Sequence, residues 1–287
     1  MRKRILHLLT KYTSHLVVLM GALLILMPLW MMLTGSFMSK EEVASNLSPV
    51  LNGGSMMASW PIFPKYITMQ PYVQLLLDSP TFFVMIWNSF KQVFPILFGQ
   101  LLIGVPAAWA FGRYQFRGRK LLITMYTILM IMPFQVTMVS SYIVLDRMKL
   151  INTHLAIIVP AVLSTFPIFI MMKFVAAIPK SLFEAAQIDG AGEGRIFITI
   201  GIPMSYSGII SALILSFLEY WNALEQPLTF LSDKSKWPLS LYLPNIAVEK
   251  VGVSLVASVI MMLPALLLFL YGQGYLEEGI CASGIKE

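Results

Sequence analysis

Residues 179–203 read PKSLFEAAQIDGAGEGRIFITIGIP. This is the longest run of polar and charged chemistry between two strongly apolar segments of the chain. Ser181 and Glu184 have the S-x-x-E spacing of a capping box, in which side chains satisfy the orphan amides of a helix start. The spacing predicts a helix over Leu182–Asp189, about two turns. Gly190 then suits the left-handed residue that closes a helix. Two turns are too few to hold in water alone, so the Leu182, Phe183 and Ala186 surface must pack on something. Gly192 and Gly194 are expected to loosen the chain just beyond.

The flanks decide the class. Of 287 residues, 57% are hydrophobic and only 12% charged, and the mean hydropathy is +0.77. Ordinary globular domains carry about 25% charged residues. The apolar segments run throughout, which favours a single transmembrane domain over 1–287 rather than several. A net charge of +6 is explained by basic residues flanking spans on the cytoplasmic side, not by nucleic acid. The single cysteine, Cys281, excludes an intrachain disulfide. His7, His15 and His154 lack metal-ligand spacing, so no metal site is expected.

Taken in order, the apolar runs give six spans, each near the roughly 20 residues a bilayer core requires. The spans are expected at about 15–37, 86–111, 121–145, 155–175, 204–226 and 252–271. The first exceeds the apolar core of a signal peptide and has no small-residue cleavage site after it, so it is read as retained. Residues 38–81 form a polar loop with Gly53-Gly54 and several prolines, with room for a short helix near Gln70–Leu77. Pro95 and Pro106 are expected to kink the second span, and Pro133 to break the third. GRYQFRGRK at 112–120 lacks the spacing of a phosphate loop and reads as a basic cytoplasmic turn. Residues 227–250 are a further loop, and the tail from Gly272 is polar and short. Lys and Arg concentrate at 2–11 and 113–120, which places both termini and the 179–203 stretch in the cytoplasm.

The pattern Glu184-Ala185-Ala186, Asp189-Gly190-Ala191, Ile200 and Pro203 resembles the EAA signature of permease subunits of binding-protein-dependent ABC importers. Ile202 replaces the leucine usual there. The resemblance implies that this segment is a coupling helix, with Glu184, Ala185, Ala186, Asp189 and Gly190 docking into an ATP-hydrolysing subunit. Glu184 would offer a carboxylate to a basic partner there. Asn88-Ser89, Ala107–Arg113, Met132-Pro133 with Val136, Leu150–Thr153, Trp221-Asn222 with Gln226–Leu228, and the tail Gly279–Lys286 resemble the sugar group, specifically the maltose-type second permease subunit. The resemblance implies an all-α polytopic membrane protein with the type I ABC importer permease fold, multi-pass in a bacterial cell membrane. It implies carbohydrate import in a heterodimer with a second permease subunit, beside two ATP-binding subunits and an extracellular sugar-binding protein. ATP and Mg would sit in the partner subunits, with no cofactor in this chain. The tail would reach the ATPase dimer, and the 227–250 loop would probe the binding protein's sugar cleft.

Charge within a membrane is costly and usually functional. Ser216, Glu219, Asn222 and Gln226 recur at spacings of 3, 3 and 4, a polar stripe suited to a pore or a partner helix. Glu219 lines the pathway, sits solvated near the outer interface, or pairs with the partner subunit. Gln135, just past Pro133, either hydrogen-bonds a sugar or caps a carbonyl freed by the kink. There is no phosphate loop and no set of nucleophile, base and orienter, so a transport subunit is expected rather than an enzyme. The rival readings are a permease for another solute class, an ion-coupled secondary carrier, and a non-transporting scaffold.

Overall fold

The computed structural model describes residues 2–51, 59–242 and 250–284, with side chains over 12–47, at 49, and over 59–242 and 250–277. Gly53-Gly54, Pro244 and the end of the tail, Ile285-Lys286, lie outside the described residues. The chain gathers into two compact units, residues 1–80 with 243–262, and residues 81–242 with 263–287. Among the described residues four helices are long and apolar enough to cross a membrane, or up to six candidate spans when each of two sharply bent helix pairs is counted as one.

The first unit is built on α1 (Arg2–Gly35), whose apolar part runs from Tyr12. At 1.5 Å per residue its 24 residues reach about 36 Å, enough for a hydrocarbon core. Leu16, Leu24 and Ile25 are all exposed, as expected of a helix with lipid as its solvent. The loop that follows is more ordered than its composition suggests. It holds α2 (Lys40–Leu51) and α3 (Gln70–Asp78). Glu42 is buried and accepts from the amides of Lys65 at 2.8 Å and Tyr66 at 3.5 Å. The Trp30 indole donates to the Ile62 carbonyl and meets Phe63 edge to face. Polar residues here staple the loop to the end of α1.

In the second unit, α4 (Pro80–Gly99), a π-helical turn (Gln100–Gly104) and α5 (Val105–Arg113) form one long apolar helix. A second π turn, Phe197–Gly201, joins α11 (Glu193–Ile196) to α12 (Ile202–Met204). Each π turn ends at a glycine two residues before a proline, in Ile103-Gly104-Val105-Pro106 and Ile200-Gly201-Ile202-Pro203. Proline lacks the N–H and clashes with the carbonyl four residues back. A widened turn removes that conflict without breaking the helix. The kink expected at Pro106 is therefore a π turn in a continuous helix.

Pro133 acts differently. α6 (Arg119–Ile131) and α7 (Phe134–Arg147) meet at 106°. Met132 is extended (ψ 123°), the conformation that a following proline favours. The fourth span divides into α8 (Leu155–Val162) and α9 (Thr165–Ala177). Gln100 donates to the Ala161 carbonyl at 2.9 Å, near that break. α13 (Tyr206–Trp221) bends from the α11–α12 segment by 67°. Helix thus begins inside the 179–203 stretch, at Glu193, ahead of the expected fifth span. α14 (Glu225–Phe230) follows. α15 (Val251–Gly284) runs on as helix where a short polar tail is expected.

The core of this unit lies where α9 packs on α5 and α13, through Val105, Ala108, Ile168, Met171, Ile209 and Ala212. Small residues set the approach. A Cβ on Gly208 would lie 2.3 Å from the Phe174 ring, and one on Gly112 would lie 2.6 Å from Val175. Close backbone approach at small residues is the usual basis of helix association in membranes.

Candidate functional site

α10 (Lys180–Ile188) is the short helix of the 179–203 stretch. Its N-cap is Pro179 and no side chain caps it, so the Ser181–Glu184 capping box does not form. The helix starts earlier than the box requires, which leaves Ser181 within the first turn, and Glu184 is free and exposed. Its C-terminus follows the sequence. Gly190 has φ +79°, its amide donates to Gln187, and the Ala191 amide donates to Ala186 at 2.9 Å. That pair of bonds is the Schellman motif.

The helix is two-faced. Phe183, 5% exposed, packs edge to face on Trp109 at 5.5 Å, in a cluster with Val175, Ile178 and Ile196. Ala186 joins this cluster, whereas Leu182 points away and is 40% exposed. Leu182, Ala185 and the 85% exposed Ile188 therefore form an uncovered row at i, i+3 and i+6, with Glu184 and Asp189 also exposed. Among the described residues of the second unit nothing covers this face.

The inner face is fastened by a residue that reads in the sequence as part of a basic turn. Arg113 lies over the Phe183 ring at 4.1 Å and over Trp109 at 5.4 Å. It also makes a two-pronged ion pair with Glu193, closest at 3.2 Å. Glu193 accepts from the Tyr114 hydroxyl at 2.6 Å and from Gln187 of α10 at 3.0 Å. The Gly192-Glu193-Gly194 segment is thus pinned and not loosened. Gly192 is the extended N-cap of α11 and Gly194 lies within that helix.

The residues expected along the pathway do not form one stripe. Ser216 is fully buried, with no partner for its hydroxyl. Asn222 is the exposed C-cap of α13 and donates to the Leu218 carbonyl. Gln135 bonds the Glu225 carboxylate at 2.5 Å, linking α7 to α14, and so caps no kink carbonyl. Glu219 opens with Gln226 into a cavity of about 340 Å3. Thr137, Ser141, Ser164 and Thr165 also line it, and no Lys or Arg does. A helix of 3.6 residues per turn cannot keep Ser216 and Gln226 on one face once the chain breaks at Asn222.

A second polar set is invisible to spacing alone. Asn88, Ser89 and Gln92 are buried in α4. Asn88 donates to the Ser235 and Trp237 carbonyls at 2.7 and 3.0 Å. Ser89 accepts from the Leu239 amide, and Gln92 meets both the Lys236 carbonyl and His154. Asn152, at φ +60°, accepts from the Asp233 amide. The stretch 233–239 is therefore a shaped element held from beneath.

Residues 100–280 match the family described as binding-protein-dependent transport system inner membrane component, and the chain belongs to that family. It is 26% identical over 226 residues to the arabinooligosaccharides transport system permease protein AraQ of Halalkalibacterium halodurans, covering 78% of this chain and 81% of that protein. It is 31% identical over 235 residues to a protein of Pyrococcus horikoshii described as a probable ABC transporter permease, covering 79% and 85%. Among solved structures, a bacterial ABC transporter involved in the import of the acidic polysaccharide alginate superposes with a TM-score of 0.76 at 18% identity, over 93% of this chain and 96% of that one. The fold is that of an ABC importer permease, and the protein is a membrane protein.

Proposed function

We propose that this chain is one permease half of an ATP-driven carbohydrate importer, acting as a single transmembrane domain of six spans. The observation that carries the reading is the two-faced α10. One face is locked into the permease by Phe183, and the other offers Leu182, Ala185 and Ile188 with carboxylates at Glu184 and Asp189. An apolar row with a negative flank fits an apolar cleft with a basic rim on a soluble subunit. ATP and Mg would bind two such subunits and not this chain. A second permease would complete the pathway, and an extracellular binding protein would deliver the solute. The basic segments at 2–11 and 113–120 support a cytoplasmic location for the termini and α10. The carbohydrate assignment is supported by the arabinooligosaccharide relative and by the hydroxyl- and amide-lined cavity at Glu219.

The test is reconstitution of the complete importer in lipid vesicles. Ile188→Asp should abolish co-purification of the ATPase subunits while the permease pair stays assembled. Retained ATPase together with solute-stimulated hydrolysis in that variant would refute the docking role. Uptake of labelled arabinooligosaccharide tests the solute class.

A further inference from the structure

We propose that Arg113 is the positioning residue through which movement of α10 reaches the spans, an inference that rests on reading α10 as the docking element. Arg113 is the last residue of α5, at the end of the 34-residue apolar helix Pro80–Arg113. α5 packs on α9, and α9 packs on α13. Whatever displaces Arg113 therefore displaces the end of the helix around which this unit is packed.

Arg113 joins three separate pieces of chain. Its guanidinium carbon lies over Phe183 of α10 at 4.1 Å and over Trp109 of its own helix at 5.4 Å. Its two-pronged bond goes to Glu193 of α11. Gln187 of α10 reaches the same carboxylate, which closes a ring from α5 through α11 to α10 and back. Tyr114, one residue beyond α5, donates to Glu193 as well. The Arg113 side chain is 11% exposed and that of Glu193 50%, so the guanidinium is held mainly by the rings that cover it, with the half-exposed carboxylate fixing its direction. The ring makes α10 and the end of α5 one body.

The chemistry is specific to arginine. A planar guanidinium can lie on aromatic rings and hold a carboxylate with two parallel N–H groups at once. A lysine ammonium supplies charge but neither the plane nor the fork. The structural alternative is that Arg113 only neutralises Glu193, and lysine would then serve equally well.

The experiment uses the complete importer in lipid vesicles and reads three quantities. These are ATPase co-purification, hydrolysis, and solute molecules imported per ATP hydrolysed. Arg113→Ala should keep the ATPase bound but lower the import ratio at least fivefold. Arg113→Lys should recover less than half of the lost ratio. Glu193→Gln, which leaves the apolar cluster intact, should lower the ratio two- to threefold and covers the case in which Arg113→Ala does not insert. An unchanged ratio in Arg113→Ala and Glu193→Gln, or full recovery with lysine, would overturn the proposal. So would loss of bound ATPase in step with the ratio, because Arg113 would then act in docking. Ile188→Asp separates the two readings. If it has no effect, the docking reading fails; if it releases the ATPase while the Arg113 variants stay coupled, only the transmission role fails.

Discussion

Replacing Gly190 by valine should uncouple the permease without unfolding it. Gly190 sits at φ +79°, where a residue with a Cβ is strained by about 1–2 kcal/mol. A Cβ built there meets nothing within 4 Å, so the cost is purely that of the backbone. The Schellman pair, Gly190 to Gln187 and Ala191 to Ala186, is worth about 0.5–1.5 kcal/mol per bond. The strain therefore offsets at least one of the two bonds that close α10. A nine-residue helix has no propagation reserve to absorb this. A shift of 1–2 kcal/mol lowers the closed-cap population about 5- to 30-fold. The spans satisfy their backbone internally and should insert normally. ATPase co-purification and solute-stimulated hydrolysis are the assays. Gly190→Asn should retain most coupling, because Asn tolerates the left-handed region. Gly118, at φ +89° and equally open, gives a control in which valine is strained outside α10. Normal coupling in Gly190→Val, or equal loss in Gly118→Val, would refute the reasoning.

Single cysteines at Ser235 and Gly118, both exposed, test topology in a Cys281→Ser background. An impermeant thiol reagent on intact cells should label the first and not the second, and the reverse pattern would invert the assignment. Glu219→Gln should reduce uptake several-fold with the complex intact, since Glu219 lines the polar cavity; disappearance of the subunit from the membrane would show a structural role instead. Asn88→Leu removes the donor to the Ser235 and Trp237 carbonyls, at about 0.5–1.5 kcal/mol for each hydrogen bond. Hydrogen exchange over residues 231–241 should accelerate tenfold or more, and unchanged protection would contradict the anchoring role. Burial, with Lys91 and Lys236 nearby, holds the His154 imidazole below its usual range. The folded state then binds a proton less readily than the unfolded chain. Stability is complete above about pH 6.5 and declines as pH falls through that value towards the lower folded one. Thermal midpoints across this window should drop on acidification in the native chain and not in His154→Gln.

The apolar segments and the turn at Gly190 were legible because each rests on a local rule, segment length in one case and backbone handedness in the other. Pro133 was legible for the same reason, since its effect on Met132 acts between neighbours. The failures share a cause. The Ser181–Glu184 box is correct in spacing, but α10 already begins at Lys180, after Pro179, and Phe183 is committed to Trp109. Gly192 and Gly194 read as slack because Arg113, eighty residues before Glu193, is invisible to any local window. The stripe from Ser216 to Gln226 assumes a continuous helix, yet α13 stops at Trp221. Asn88 and Ser89 were noticed as words of a family and Gln92 was not noticed at all, because their function required the 233–239 loop to be folded onto them. Such pairings are long-range, and no periodicity encodes them.

The two π turns bear on how the length of this chain can change. A π turn closes over one residue more than an α turn, so each amounts to an inserted residue that stays local. Deleting a residue from a regular helix would rotate everything beyond it by about 100° about the axis. Val105 and Ala108, which face α9, would then turn away from their partners. A deletion within Gln100–Gly104 or Phe197–Gly201 leaves the faces on both sides in register. What such a deletion restores is the proline clash, at Pro106 or Pro203. The extra residue and the proline are thus a linked pair in each segment, gained or lost together and at little cost to the packing around them.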